Sequence, residues 1–349
     1  MTPAHERSLR PISENSLIRL LHDRYQVKHR WIRRGIGDDA AVVHPRGAHE
    51  YWLITSDMLL ENIDFCRESI EPASLGYKAL AVNLSDLAAM GARPRFYTVS
   101  LALPSEISQG WILRFYKGMS ELGRSYGAYL IGGDLSGSKS GISVSITALG
   151  ESLKRRVVYR TGGRAGDWLY VTGTLGKSAA GLKLVERGLS RPQSRVQKAA
   201  IWAHQRPEPR CKAGLWLAQS GLIHCMMDLS DGLSTDLARL CAASKVGAEV
   251  YASWLPVFAE SAAWGCDPVQ MALHGGEDFE LLFAVPESKA ELLEKSYPST
   301  LPAITRIGRL TGERGIVRLR GRGKRVIRLK DQGYDHFRLR KDFGAPDKA

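Results

Sequence analysis

Apolar and polar positions alternate along the chain in runs that predict discrete elements. From Ser13 to Tyr25 the stripe Leu17, Ile18, Leu20, Leu21 has helical spacing, with Ser13 and Asn15 as candidate caps. Ala40 to His44 and Tyr51 to Thr55 read as strands, the second running into Ser56 and Asp57, which sets Asp57 at a strand end. Pro72 to Met90 predicts a long helix, with Pro72 suited to its first turn and Gly91 to its stop. Leu75, Ala79, Val82 and Ala89 mark one face, but the helix is apolar nearly all round and so belongs in the interior. Val99 to Leu103 is a strand, Trp111 to Tyr126 a helix, and Ala128 to Ile131 a strand entering Gly132-Gly133-Asp134. Ile142 to Gly150 alternates in the manner of a half-buried strand.

The polar, basic stretch Glu151 to Arg164 divides the chain into expected domains 1–150 and 151–349. Beyond it, Trp168 to Thr172 is a strand and Ser178 to Arg187 a helix. Ile223 to Met227 runs into Asp228-Leu229-Ser230-Asp231-Gly232, after which Ser234 or Thr235 could cap a helix reaching Ala243. Leu281 to Val285 is a strand directly after Gly275-Gly276-Glu277-Asp278. Asn83-Leu84-Ser85-Asp86 faintly echoes Asp228-Leu229-Ser230-Asp231.

Composition narrows the function classes. A chain of 349 residues with 44% hydrophobic content can bury a core, which excludes disorder. No stretch has the roughly 18 uninterrupted apolar residues of a membrane span. The N-terminus lacks the apolar core of a signal peptide, and the cysteines Cys66, Cys211, Cys225, Cys241 and Cys266 are odd in number with no close pair. A cytoplasmic protein with reduced thiols is expected. Lys and Arg total 49 against 36 acids, a net charge of +13.

In so basic a chain the telling acids lie beside glycine and at the ends of apolar runs. These are Asp38, Asp39, Asp57, Asp86, Asp134, Asp228, Asp231, Glu277 and Asp278. Asp and Gly are ordinary turn residues, and any one such motif fits a turn. Several converging carboxylates repel one another unless hard cations sit between them, and carboxylate with phosphate oxygens suits magnesium. Together they point to phosphoryl transfer. Asp86, inside an apolar helix, needs a partner: Lys78 two turns earlier, or a metal. Gly173-Thr174-Leu175-Gly176-Lys177-Ser178 resembles a phosphate loop, but Val171 stands where that motif requires its first glycine. Gly173 and Gly176 therefore read as turn glycines.

Several motifs in order carry a family resemblance. They are Gly35-Ile36-Gly37-Asp38-Asp39, Thr55-Ser56-Asp57, Tyr77 to Ala92, Ile131-Gly132-Gly133-Asp134, and Val171 to Thr174 with Ser178 to Gly181. Asp228 to Leu233, Gly275 to Asp278 and Gly333-Tyr334-Asp335-His336-Phe337 complete the set. In these the chain resembles the thiamine-monophosphate kinases of the aminoimidazole ribotide synthetase-like superfamily over nearly its whole length. The resemblance implies an α+β fold of two domains, an N-terminal mixed sheet that dimerises through a barrel-like interface and a C-terminal α/β sandwich. It implies ATP-dependent phosphorylation of thiamine phosphate with several magnesium ions, and a homodimer. By the same resemblance Asp39, Thr55, Ser56, Asp57, Asp86, Asp134, Asp228 and Asp231 match metal positions. Tyr116, Gly133, Asp134, Arg160 and Ser230 match ATP contacts, and Asp64, Glu277 and Tyr334 fall at substrate positions.

Asp64 departs from the family, which usually has histidine there; the acid either binds a further cation, turns away or weakens substrate affinity. Lys177 and Leu135 to Ser138 also depart. The absence of a cysteine before Cys66 disfavours a selenophosphate synthetase, and the motifs match an aminoimidazole ribotide synthetase less well. The basic run from Arg314 to Lys330 raises nucleic-acid binding as another class. It also reads as a hairpin, Ile316 to Arg320 and Arg325 to Leu329 about Gly321-Arg322-Gly323, with a charged face.

Overall fold

The structure is a computed structural model that describes residues 14–189, 192–321 and 326–334. The candidate cap Ser13 and the side chain of Asn15 lie outside the described residues, as do Arg322, Lys324, Arg325 and the end of the tail motif from Asp335. No helix among the described residues is long and apolar enough to cross a membrane.

The first half opens with α1 (Glu14–Tyr25), β1 (Ile32–Arg34), β2 (Ala41–Val43) and β3 (Glu50–Leu60). It continues through α2 (Pro72–Ala89), β4 (Arg93–Leu103), α3 (Gln109–Tyr126), β5 (Tyr129–Gly137) and β6 (Ser143–Leu153). Its strands form a six-stranded sheet in the order β1-β2-β3-β6-β4-β5, antiparallel except that β4 and β5 run parallel. Two strands outrun their expected limits. β3 pairs with β6 along its full length, so Asp57 lies within the strand rather than at its end. β5 continues through Gly132-Gly133-Asp134, because it is an edge strand whose glycine can press on its neighbour. A Cβ on Gly133 would meet the Val99 carbonyl at 2.0 Å, and its φ is 154°.

The second half comprises β7 (Trp168–Thr172), α4 (Lys177–Glu186), α5 (Arg195–Gln205), α6 (Cys211–Ser220) and β8 (Cys225–Asp228). Then follow α7 (Leu233–Ser244), β9 (Gly247–Tyr251), α8 (Pro268–His274), β10 (Leu281–Val285), α9 (Glu287–Ser296), β11 (Ile304–Thr311), β12 (Val317–Arg320) and β13 (Val326–Arg328). These strands make a seven-stranded sheet, β13-β12-β9-β11-β7-β10-β8. The basic segment is the expected antiparallel hairpin, β12 with β13. Arg318 pairs with Glu313, and Arg320 with Glu249 at 2.9 Å, so these two charges are internally matched.

α2 lies between the two sheets, touching β3 and β6 on one side and α6 and β8 on the other. That position explains its all-round apolar surface: fourteen of its eighteen residues are buried. Glycines let neighbouring backbones close on it. A Cβ at Gly76 would strike the Phe115 carbonyl at 1.9 Å, and one at Gly214 the Ala88 carbonyl at 2.0 Å. One apolar cluster therefore runs through both halves, from Leu53 and Leu84 to Leu217, Met226 and Phe283. It fixes α2 as the element that can carry a polar side chain to both sheets. The cysteines are all unpaired, and Cys211, Cys225 and Cys241 are buried, their thiols pushed up to about 12 by burial.

Candidate active site

Strand alternation decides which acids meet. On β3, Leu53, Thr55, Asp57 and Leu59 face α2, while Ser56 and Met58 point to the sheet's other face. The Asp57 N–H donates to Asn83 Oδ1 of α2 at 3.2 Å, and Asn83 Nδ2 to the Ala79 carbonyl at 3.1 Å, locking strand to helix. Asp86, one turn beyond Asn83, accepts a hydrogen bond from Thr55 Oγ1 and shares one with Asp57. Asp228 ends β8 from the opposite side, where Ser85 Oγ donates to its Oδ2 at 2.6 Å. Asp39 enters from the loop between β1 and β2. Carboxylate oxygens of Asp39, Asp86 and Asp228 all lie within 4.8 Å of one another.

Burial and mutual repulsion dominate this group. Burial pushes Asp57 up to about 6 and Asp228 up to about 7, with Asp39 adding to both. Asp86 is raised well above the usual carboxylate range, by burial first and then by Asp57 and Asp228. Arg160 answers them: its Nη2 lies 2.5 Å from Asp39 Oδ1, and its backbone N–H donates to Asp38. Arg34 holds Asp38 at 2.7 Å, so Asp38 is engaged on the flank. Even so, Asp39 Oδ2 and Asp57 Oδ2 are buried with no hydrogen-bond partner among the described residues. Orphaned carboxylate oxygens gathered in one place are the donor set a hard divalent cation takes. The residues present therefore fit magnesium.

Lys78 is not the partner of Asp86. It is fully buried, yet its Nζ lies 2.6 Å from Oε1 of Glu277, a contact of charge rather than a well-directed hydrogen bond. Glu277 also receives His204 Nδ1 at 3.0 Å on Oε2. Burial alone would raise the Glu277 carboxyl, but Lys78 and His204 hold it down to about 2. Glu277 is thus a charged link between α2, α5 and the loop after α8, and it sits there with φ 65°.

Two expected metal residues fall elsewhere. Ser56 Oγ is on the opposite face of β3, 3.2 Å from Thr147 Oγ1. Asp134 is exposed and registers with Ser100, Ser145 and Met58 on that same face, three strand spacings or about 14 Å across the sheet. Period-two alternation puts both side chains away from the cluster. Asp231 lies just past Asp228, where Arg239 pairs with both Asp231 and Asp236. Ser230 follows Asp228 on the same loop and accepts the Glu277 N–H on its carbonyl at 2.7 Å.

Tyr116 of α3 lines an open cleft of about 490 Å³ with Tyr97, Lys117, Ser120, Arg124, Tyr129 and Leu130. Gly133 follows on the same strand as Tyr129. Tyr334 is tied by its backbone N–H to the Asp231 carbonyl at 3.2 Å, so the tail returns to the loop bearing Ser230. Asp64 turns back on its own chain, its Oδ2 accepting the Leu60 N–H at 2.7 Å.

The structure also explains the incomplete phosphate loop. Asp278 reaches the N-terminus of α4, where its carboxyl accepts the N–H of Gly176 at 2.6 Å and of Ser178 at 3.1 Å. Burial pushes that carboxyl up to about 7 against the pull of these donors. A side chain of this protein already fills the place a phosphate would take. Sequence reading missed this pairing, as well as Lys78 with Glu277 and Asp236 with Arg239, because each partner is remote in sequence or looks like an ordinary helix residue. Asp236 carried one usable signal, an acid in the first turn of a largely apolar helix.

Comparison with known proteins agrees with this architecture. Residues 37–152 match the model of the AIR synthase related protein N-terminal domain, and residues 164–320 that of the corresponding C-terminal domain. The thiamine-monophosphate kinase of Synechococcus elongatus is 38% identical over 95% of this chain and 98% of its own length. That of Escherichia coli is 38% identical over 93% and 98% respectively. A solved structure of AaThiL complexed with AMPPCP and TMP superposes with a TM-score of 0.82 at 32% identity, covering 95% of this chain and all of its own. With two such domains, relatives matched almost end to end and an acid cluster at the seam of its sheets, the chain belongs to the thiamine-monophosphate kinase family of AIR synthase related proteins.

Proposed function

We propose that this chain transfers the γ-phosphoryl group of ATP to thiamine phosphate, giving thiamine diphosphate and ADP. The observation that carries the reading is the convergence of Asp39, Asp57, Asp86 and Asp228 with two orphaned oxygens where the sheets meet. These four would hold magnesium, with Asp231 beside them; the ions would neutralise the charge of the transferring phosphoryl group. Thr55 and Ser85 orient Asp86 and Asp228 by hydrogen bonds, so the ligands are fixed before substrate arrives. An oxygen of the thiamine phosphate attacks the γ-phosphorus as the bond to the β–γ bridging oxygen breaks. A phosphate oxygen is already ionised and needs no strong base.

ATP is assigned to Arg160 and Ser230 at the cluster's edge and to the backbone of β5 at Gly133, a glycine whose missing side chain lets the strand close on Val99. Tyr116 and the cationic, tyrosine-lined cleft would take the nucleoside end. Tyr334 offers an aromatic face to the cationic thiamine ring, and Glu277, its carboxylate held by Lys78 and His204, lines the acceptor side on the loop that meets Ser230. The outer face of the first sheet, with Ser56, Thr98, Ser100, Asp134 and an exposed Met58, is the surface proposed for a second copy. Ser56 and Asp134 act there rather than in the cluster.

An assay of thiamine phosphate with ATP, with and without magnesium and resolving the thiamine species by chromatography, tests the reading. Magnesium-dependent formation of thiamine diphosphate is expected. No product from folded, ATP-binding protein would overturn the acceptor assignment.

A further inference from the structure

Ser234, Thr235 and Asp236 occupy the first turn of α7, and all three are buried. Polar residues at a helix start ordinarily serve the helix's own free N–H groups, and either Ser234 or Thr235 was the expected cap. The actual N-cap is Gly232, which provides no side chain. Ser234 and Thr235 reach outward to two different segments, while Asp236 turns back on the helix start and the loop before it. Ser234 Oγ lies 2.9 Å from Nδ1 of His274, just before the loop that carries Glu277. Thr235 Oγ1 donates to Asp331 Oδ1 at 2.5 Å and accepts the Gly333 N–H at 3.0 Å. Asp236 Oδ2 accepts the N–H groups of Asp231 and Gly232 at 3.0 and 3.1 Å, while Oδ1 takes Arg239 at 2.9 Å.

The contact with the tail is close. A Cβ on Gly333 would lie 2.2 Å from the Asp231 carbonyl oxygen and 2.3 Å from Thr235 Oγ1, so the next larger side chain would force the tail off this seat. Tyr334 follows at once, its own N–H on the Asp231 carbonyl. Thr235 and Asp236 are adjacent on one turn, yet they hold two different segments: Thr235 the tail that carries Tyr334, and Asp236 the Ser230–Asp231 loop on which that tail rests.

We propose that Thr235 and Asp236 are positioning residues, Thr235 seating Tyr334 for the acceptor substrate and Asp236 setting the Ser230–Asp231 loop. The proposal rests on the phosphoryl-transfer reading above. Neither side chain touches the reacting atoms; each acts through the backbone it fixes. The two assignments differ in what they should move, which separates them from a general role in stability.

Steady-state kinetics of the full chain test it, with thiamine phosphate, ATP and magnesium each varied. Thr235→Val removes the hydroxyl and should raise KM for thiamine phosphate about tenfold, with kcat and the ATP KM within about twofold of wild type. Thr235→Ser, which keeps a hydroxyl, should restore most of that loss. Gly333→Ala should reproduce the KM rise from the tail side, and it carries the test should Thr235→Val not fold. Asp236→Asn should raise the magnesium concentration for half-maximal rate and the ATP KM several-fold, and the thiamine phosphate KM with them, because Tyr334 and Glu277 hang on carbonyls of the same loop, whereas Thr235→Val moves the last alone. Variants that melt earlier but keep wild-type KM values and magnesium dependence would overturn the proposal while leaving the phosphoryl-transfer reading intact. A wild type that forms no thiamine diphosphate would overturn both.

Discussion

Two places in this molecule show glycine, a strand end and a helix, and they have opposite electrostatic fates. At the N-terminus of α4, Gly173 and Gly176 shape a turn that invites an anion, and Asp278 supplies one from within the chain. At the seam of the sheets, Asp39, Asp57, Asp86 and Asp228 gather beside Arg160, and two of their oxygens have no hydrogen-bond partner among the described residues. The first place is satisfied by the fold and has nothing left to bind. The second is held together by packing against its own repulsion, the condition under which a binding site stores energy that a ligand releases.

The sharpest way to break this contrast is to remove a carboxylate from the seam. Asp86→Asn and Asp57→Asn should each lower turnover by roughly a thousandfold or more while the protein stays folded. In the absence of divalent cations at pH 8, the same variants should melt higher than wild type, by roughly 2–4 °C for each kcal/mol of repulsion relieved. Calorimetry beside the activity assay checks both; wild-type rates in both variants would sink the cation assignment.

Acidity is the next largest lever. Burial pushes the Asp57 carboxyl up to about 6 and that of Asp228 up to about 7. Protons therefore compete with magnesium as the pH falls from 8 to 6, and the magnesium needed for half-maximal rate should rise about tenfold. Metal-free stability should run the other way. A folded carboxyl titrating above its unfolded value of 3.8 binds more protons than the unfolded chain across that interval. Its contribution is fully present below about pH 4 and is lost as the pH rises through 6 to 7. Comparing melting curves of wild type and Asp57→Asn at pH 5 and pH 8 isolates that contribution.

At α4 the expected effects are smaller and of another kind. Asp278→Ala leaves the N–H groups of Gly176 and Ser178 unsatisfied and should cost about 1–3 kcal/mol of stability. Sulfate should then stabilise the variant more than the wild type, because the vacated helix terminus can accept an anion. Lys177→Ala should leave kcat within about twofold. A loss of orders of magnitude there would mean that α4 handles phosphate after all.

Much of the fold was legible from periodicity. The burial of α2 followed from its all-round apolar surface, and the β12–β13 hairpin from two alternating runs about a glycine turn. Strand lengths were less so. β3 and β5 extend past Thr55 and Ile131 because pairing with β6 and β4 carries polar and glycine residues that propensity alone would place in loops. The same alternation separated Ser56 from Thr55 and Asp57, a distinction that a motif of adjacent residues hides. Asp39, Asp57, Asp86 and Asp228 were recognisable as acids out of place, and the structure does bring them together. Lys78 was recognisable as a misplaced charge but not as the partner of Glu277, since nothing in residue spacing shows which distant loop a buried helix will meet.

The acids at the seam outnumber the cation that pairs with them among the described residues, a shortfall that divalent cations would make good during phosphoryl transfer. Manganese binding followed by electron paramagnetic resonance, with a non-hydrolysable ATP analogue present, tests this most directly in wild type and Asp86→Asn. Protein-bound manganese that magnesium displaces is expected in the wild type, with most of that binding lost in the variant. Equal binding in the two proteins would contradict it.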